Sequence, residues 1–392
     1  MIADLHAHYA MHLVGRGGSI WKLLRTKRGR ARLRDRGRAL LVGLASRFGN
    51  YRSPFSGPRV TMKSLRAGRV GVALSVVYSF FDELELGEPY PAPPKRGYID
   101  SVLGQLDLVE EDLAKNHKDT AMVVRGPDQL PDAFDDERVG FVHCVEGGFC
   151  LGSTPAEVSE AVKTLAQRGV AYITLAHLVW RRVATNANAI PFIPDGLYRR
   201  LFPQPDEGLS DLGRAAVTAM LREGILVDLS HMSDRSVADT LDLLDQLDGA
   251  KTQPVFASHG CFRFGSQEYG VDEPTLRRIA ERRGVVGLIM AQHQLRDGVP
   301  RQPGRGFEAS IGVIRAHVDQ IAKITRSHDH VAIGSDFDGF IKPTMAGLQS
   351  MADMARLEEA LIREYGETKA ELICSGNALR VLRAGWGRKL PV

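Results

Sequence analysis

The side chains best suited to chemistry sit where apolar runs end. The chain opens MIADLHAHYA, with Asp4, His6 and His8 alternating with apolar residues. On a strand, side chains two apart share a face, so these three point the same way and two imidazoles can reach one cation. Later apolar runs end in Glu146 (VGFVHCVE), His177 (VAYITLAH), His231 (ILVDLSH), His259 (VFASH) and Asp336 (HVAIGSD). Each ending alone is commonplace, and GSDFDG around Asp336 reads equally as a turn. Six of eight apolar runs ending in a titratable group is not commonplace. Neutral imidazoles and carboxylates suit Zn2+ or a similar first-row ion. Four histidines with one bridging carboxylate would hold two ions about 3.5–4 Å apart, the spacing of two-metal hydrolases.

Side chains from distant stretches meet only if the elements carrying them converge. Eight runs rich in β-branched and apolar residues recur: 2–8, 70–78, 139–146, 170–177, 225–231, 255–259, 285–290 and 330–336. One helix is predicted from Ser210 as N-cap to Gly224 as its stop, and others near 155–168, 233–247, 273–283 and 311–326. Two more, near 351–365 and 368–384, close the chain. This alternation predicts an α/β fold, a (β/α)8 TIM barrel, in which the strand ends gather at one mouth. A doubly wound open sheet would spread those ends apart, and no G-x-G-x-x-G follows the first run. Two segments break the repeat. Residues 13–60 form a basic, partly helical insertion between the first two strands, and 186–209 a loop holding Pro191, Pro194, Pro203 and Pro205. Both are expected over the mouth. Nothing marks a second domain, so 1–392 reads as one barrel domain.

Several blocks, in order, resemble the membrane (renal) dipeptidase family of the amidohydrolase superfamily. They are SLRAGRVGVALSVVY (64–78), CVEGG (144–148), GVAYITLAH (169–177), GLSDLGRAAVTAMLREGILVDLSHMS (208–233), PVFASHG (254–260), HVAIGSDFDG (330–339) and GNALRVL (376–382). The resemblance implies that His6 and His8 bind one metal ion, that Glu146 bridges two, and that His231 and His259 bind the second. It makes Asp336 the catalytic carboxylate and His177 a contact for the reacting carbonyl. Two departures stand out. The family usually has Asp where this chain has His8, and it places a carboxylate-binding arginine where this chain has Gly270 beside Tyr269. Arg263, Tyr78 and Asp338 are the candidate substrate contacts, with Arg181 and Arg182 as further substitutes for that arginine.

The implied activity is a binuclear zinc dipeptidase, acting on dipeptides that include those with a C-terminal D-residue. Water activated between two cations attacks a carbonyl, His177 bonds the developing oxyanion, and Asp336 passes the proton to the leaving amine. No Ser or Cys nucleophile is needed; Cys144, two residues before Glu146, is expected to pack. The alternative is a related amidohydrolase for N-acyl amino acids, lactones or another amide. A third reading is a non-catalytic barrel that binds a membrane surface.

Bulk properties narrow the setting. The chain has 392 residues, 44% hydrophobic and 25% charged, as expected of a globular protein with a large core. Four cysteines without paired spacing point to reduced thiols, and the N-terminus lacks the pattern of a secretory signal, so a cytoplasmic location is expected. No apolar run approaches the ~20 residues that span a bilayer. The net charge of +4 hides an asymmetry: residues 22–47 carry ten Lys or Arg against Asp35 alone. That segment reads as a lid helix, solvated or packed on a second subunit of a homodimer, with peripheral membrane contact as the alternative. No nucleic-acid partner is expected.

Overall fold

The computed structural model of this chain describes residues 1–13, 58–84, 89–130, 138–191, 193–339, 341 and 343–392. Most of the basic insertion 13–60, including all of 22–47, lies outside the described residues. Nine strands form. They are β1 (Ile2–Ala7), β2 (Val70–Val77), β3 (Ala121–Val124), β4 (Val139–Glu146), β5 (Val170–Thr174), β6 (Leu226–Asp228), β7 (Ala257–Gly260), β8 (Val286–Leu288) and β9 (Val331–Ile333). All pair in parallel, in the order β6-β5-β4-β2-β1-β9-β8-β7. Asp228 bridges Phe256 in parallel, and the Leu229 amide donates to the Phe256 carbonyl at 2.8 Å, which joins β6 to β7. The ring is therefore an eight-stranded (β/α)8 barrel.

The ninth strand is a correction to the eight-run reading. β3 pairs with the first half of β4, Ala121 opposite Val139, and lies outside the ring. Its apolar run, Ala121–Val124, is only four residues long, and with Met122 exposed it is not buried throughout like the strands of the ring. The helix Tyr98–Asn116 is also absent from the sequence reading. The helix Asp211–Glu223 does begin at Ser210, whose side chain accepts from the Gly213 amide at 3.3 Å. It stops at Gly224, φ +78°, where a Cβ would meet the Gly387 backbone at 2.6 Å.

Leu5, Val72, Leu74, Val142, Tyr172 and Phe256 belong to one buried cluster, which extends to Leu379, Leu382 and Trp386. The last three lie on or just after the helix Asn377–Gly385, and Gly385 packs against Leu226 and Pro254, where β6 begins and just ahead of β7. That helix thus plugs the barrel end opposite the mouth. Burying each such side chain contributes about 1.5–3 kcal/mol.

His317, on the helix Phe307–Thr325, ties the outer layer to the loops beyond β7 and β8. Its Nδ1 accepts from the Phe262 amide at 3.2 Å, so Nε2 donates to the Leu295 carbonyl at 2.8 Å. Burial pushes its pKa down to about 4. The depressed folded value means this neutral imidazole stabilises fully above pH ~6.5 and loses that contribution as pH falls towards 4, by at most about 3 kcal/mol. Denaturant midpoints at pH 7.5 and pH 5 test this. The wild-type loss on acidification should shrink in His317→Asn; equal losses would contradict it.

Candidate metal centre

The candidate ligands do converge, although mostly from loops rather than strand ends. β5, β6 and β9 stop three residues short of His177, His231 and Asp336. The chain has to leave the sheet there to swing these side chains over the axis. His231 (φ +65°), Asp336 (+57°) and Asp338 (+67°) all occupy the left-handed region. Non-glycine residues held there cost on the order of 1–3 kcal/mol each and cluster at functional sites. Gly339 makes the Asp336 turn feasible: a Cβ there would lie 1.8 Å from Asp336 Oδ1 and 2.7 Å from His8 Cδ2. The GSDFDG stretch is thus both a turn and part of the site.

Glu146, the last residue of β4, is the hub. Its Oε1 lies 3.5 Å from His6 Nε2, 3.3 Å from His231 Nε2 and 3.5 Å from His259 Nε2. Its Oε2 lies 3.6 Å from His8 Nε2 and 3.4 Å from His177 Nε2. Asp336 Oδ1 is 3.1 Å from His8 Nε2 and 3.8 Å from His6 Nε2. Nitrogens also face one another: His6 and His8 Nε2 are 3.2 Å apart, His231 and His259 Nε2 2.8 Å. All these side chains are buried.

The electrostatics separate the histidines. Burial pushes His8, His231 and His259 down, which favours neutral imidazoles. Burial also opposes charge on His177, but the Glu146 and Glu83 carboxylates overcome it and push this imidazole up to about 9. Burial would raise Glu146; His177, His6 and His231 hold it well below the usual carboxylate range instead. Asp336 is pushed well up, by burial and then by the Glu146 charge. Asp4, on the same strand as His6 and His8, does not join the ligands. Its carboxylate accepts from the His6 and Ser335 amides at 3.0 and 2.9 Å, which pins β1 to the loop after β9.

Several supporting residues went unassigned in the sequence reading. Glu83, on the helix Phe80–Leu84, accepts from His177 Nδ1 at 2.7 Å and from the Leu178 and Val179 amides at 2.8 and 3.1 Å. Nothing local distinguishes Glu83 within FFDELELGE. Tyr172, Asp228, Ser230 and Ser258 form a polar layer beneath the histidines. A signal for these did exist: Ser precedes His in both DLSH and ASH.

The substrate candidates fare unevenly. Tyr78 lies at the centre, its ring 4.7 Å from that of His177 and 6.1 Å from that of His8. The Asp338 carboxylate accepts from the Arg59 and Val60 amides, both at 2.9 Å. It fastens the last residues of the insertion to the loop after β9. The Arg263 guanidinium is engaged by the Asp234 carboxylate and by the Gly270 and Glu268 carbonyls at 2.7 and 2.8 Å. Arg181 is buried and donates to the Asp82, Glu83 and Ala92 carbonyls, bracing the helix that carries Glu83. Arg182 donates to the Pro91 carbonyl at 3.1 Å. Arg263→Ala should therefore lower stability by about 1–3 kcal/mol and leave the dipeptide KM unchanged. A several-fold rise in KM, measured by steady-state kinetics, would return Arg263 to the substrate.

The donor set fits cations. Both Glu146 oxygens are buried and lack a hydrogen-bond partner among the described residues. Ligand atoms gather into three groups, His6–His8–Asp336, Glu146–His177–His231 and His6–Asp228–His259, each within 4.8 Å. Bare imidazole nitrogens facing each other around an unpartnered carboxylate repel unless positive charge lies between them. The barrel and this mouth together define a metal-dependent hydrolase.

Comparison with known proteins specifies which. The chain belongs to the membrane dipeptidase family, peptidase family M19, whose sequence model matches residues 49–386. It is thereby a peptide-bond hydrolase. His6 and His8 lie before the matched span. An uncharacterized dipeptidase of Schizosaccharomyces pombe is 27% identical over 325 residues, 81% of this chain and 70% of that protein. Dipeptidase tcpJ of Claviceps purpurea is 25% identical over 327 residues, 83% of this chain and 68% of that one. A crystal structure described as dipeptidase AC, a metallopeptidase of family M19, superposes with a TM-score of 0.68 at 20% identity, covering 98% of both chains. A metallopeptidase of Rhodobacter sphaeroides, solved with a phosphinate mimic of L-Ala-D-Ala, gives 0.67 at 20% identity over 98% of this chain and 99% of that one. Both support the fold. No helix among the described residues is long and apolar enough to cross a membrane.

Proposed function

We propose that this chain is a dipeptidase working through two divalent ions, zinc first among them, with His6, His8 and Glu146 holding one and Glu146, His231 and His259 the other. The observation that carries this reading is the buried, unpartnered Glu146 carboxylate ringed by five imidazole Nε2 atoms within 3.3–3.6 Å. Paired ions, when bound, polarise a carbonyl and acidify water. The chain's own groups supply the rest. His177 turns Nε2 towards the centre because Glu83 holds its Nδ1–H, so it can donate to a developing oxyanion. A donor so placed is typically worth ~3–4 kcal/mol. Asp336 Oδ1 stands on the His6–His8 side, where it can take a proton from water and return it to the leaving amine. Tyr78 packs against His177 and narrows the mouth.

Dipeptides ending in a D-residue belong in the first substrate panel, since a relative of the same fold was solved with a mimic of L-Ala-D-Ala. A second reading has its own support. Arg263, Arg181 and Arg182 all donate to protein acceptors, which favours lactones or amides without a free carboxylate; N-acyl amino acids, which keep theirs, stand with dipeptides in this respect. Amine release from L,L- and L,D-dipeptides, run beside an N-acyl amino acid and lactone panel with and without zinc, separates the two. Dipeptide turnover that disappears on chelation is expected; turnover that survives exhaustive chelation would contradict the metal role.

A further inference from the structure

We propose that Ser258 and Asp228 couple the two halves of the metal centre, because a single hydroxyl orients one histidine from each half. This rests on the two-ion reading above. Ser258 Oγ lies 3.0 Å from His6 Nδ1 and 2.9 Å from His259 Nδ1. Those histidines come from strands at different places in the ring, and the reading above assigns them to different ions. The hydroxyl also donates to Asp228 Oδ2 at 2.6 Å.

Counting protons fixes every orientation in this layer. A hydroxyl has one hydrogen and two lone pairs. The Ser258 hydrogen goes to Asp228, so both lone pairs are acceptors, one for each Nδ1–H. The other group near His6 Nδ1 is the Tyr172 hydroxyl at 2.8 Å, and that hydroxyl spends its hydrogen on the Leu5 carbonyl at 2.9 Å. It too can only accept from His6. With Nδ1 protonated in both neutral rings, His6 and His259 present bare Nε2 atoms to Glu146, the tautomer a ligand needs.

Asp228 holds the hydroxyl in this role. Its carboxylate accepts from the Ser258 amide at 2.7 Å, the Ser230 amide at 3.1 Å and the Ser230 and Thr174 hydroxyls at 2.9 and 2.6 Å. With the Ser230 hydrogen also on Asp228, the 3.3 Å contact between the two serine oxygens has no hydrogen to bridge it. Among the acceptors within reach Asp228 alone is charged and it is also the nearest, so the Ser258 hydrogen stays on it. The two rings also pack together, centroids 3.7 Å apart. By contrast, His8 and His231 have buried Nδ1 atoms with no partner among the described residues. One histidine of each half is set by the shared hydroxyl and the other is not. The His6–Asp228–His259 grouping is then an orienting layer, not a third ion site.

Chelator competition followed by elemental analysis tests this without measuring turnover. In Ser258→Ala both ions should leave at chelator concentrations about 10–100-fold lower than in wild type, with the metal-free variant retaining the wild-type circular dichroism spectrum. Tyr172→Phe, which removes a hydroxyl that reaches His6 but not His259, should weaken one ion more than the other. Ser258→Thr keeps the hydroxyl and should restore the paired behaviour. Loss of only one ion in Ser258→Ala, or none, overturns the coupling, as does a threonine variant as weak as the alanine. A wild-type protein that takes up no ion overturns the metal centre itself, a distinct failure.

Discussion

Replacing Glu146 with Gln should lower kcat/KM for dipeptides by on the order of 10³-fold or more, an expectation of several kcal/mol from the role of paired metal ions. The side chain keeps its size, so the buried site should still pack. What disappears is one of two negative charges at the centre, and the one to which all five imidazoles point. An amide nitrogen would also turn a donor towards nitrogens that must stay bare. Metal content should fall with activity, and elemental analysis of the purified variant separates this outcome from simple unfolding. Retention of both metal and turnover would remove Glu146 as the bridge.

Asp336→Asn should lower kcat by about 10²–10⁴-fold while KM changes little, as expected for loss of a group that moves a proton in the transition state. The substitution keeps the shape of the turn at φ +57° and its contact with Gly339, since Asn tolerates the left-handed region as well as Asp does. Asp336 Oδ1 also lies 3.1 Å from His8 Nε2, so the same group is placed to ligate. Steady-state kinetics on metal-replete enzyme distinguishes the two contributions. A fall in kcat at full metal content assigns proton transfer, whereas recovery of kcat on adding excess metal assigns ligation.

Much of this candidate centre was legible because imidazoles and carboxylates at the ends of apolar runs are chemically conspicuous. His6, His8, Glu146, His177, His231, His259 and Asp336 all terminate apolar stretches, and a barrel is the architecture that brings such ends together. What could not be read was how far the sheet extends. A strand's apolar run continues past its last ladder bond, so the stretches around His177, His231 and Asp336 look like strand but are loops with their own backbone geometry. Glu83 was illegible for another reason. It lies 94 positions from His177 in sequence, and only the fold brings the two together. β3 has only four residues, all apolar but flanked by polar ones and partly exposed, too short a run to stand out from a loop. Arg263 was misleading in a useful way: a basic residue near a ligand suggests an anion site until its partners are known, and Asp234 and two carbonyls occupy it.

Titrating metal-free protein with zinc while following both bound metal and dipeptide hydrolysis tests the central claim most directly. Two equivalents should bind, with turnover reaching its maximum at the second. Full turnover without zinc, or saturation of binding with no ion held at Glu146 in the crystal, would contradict it.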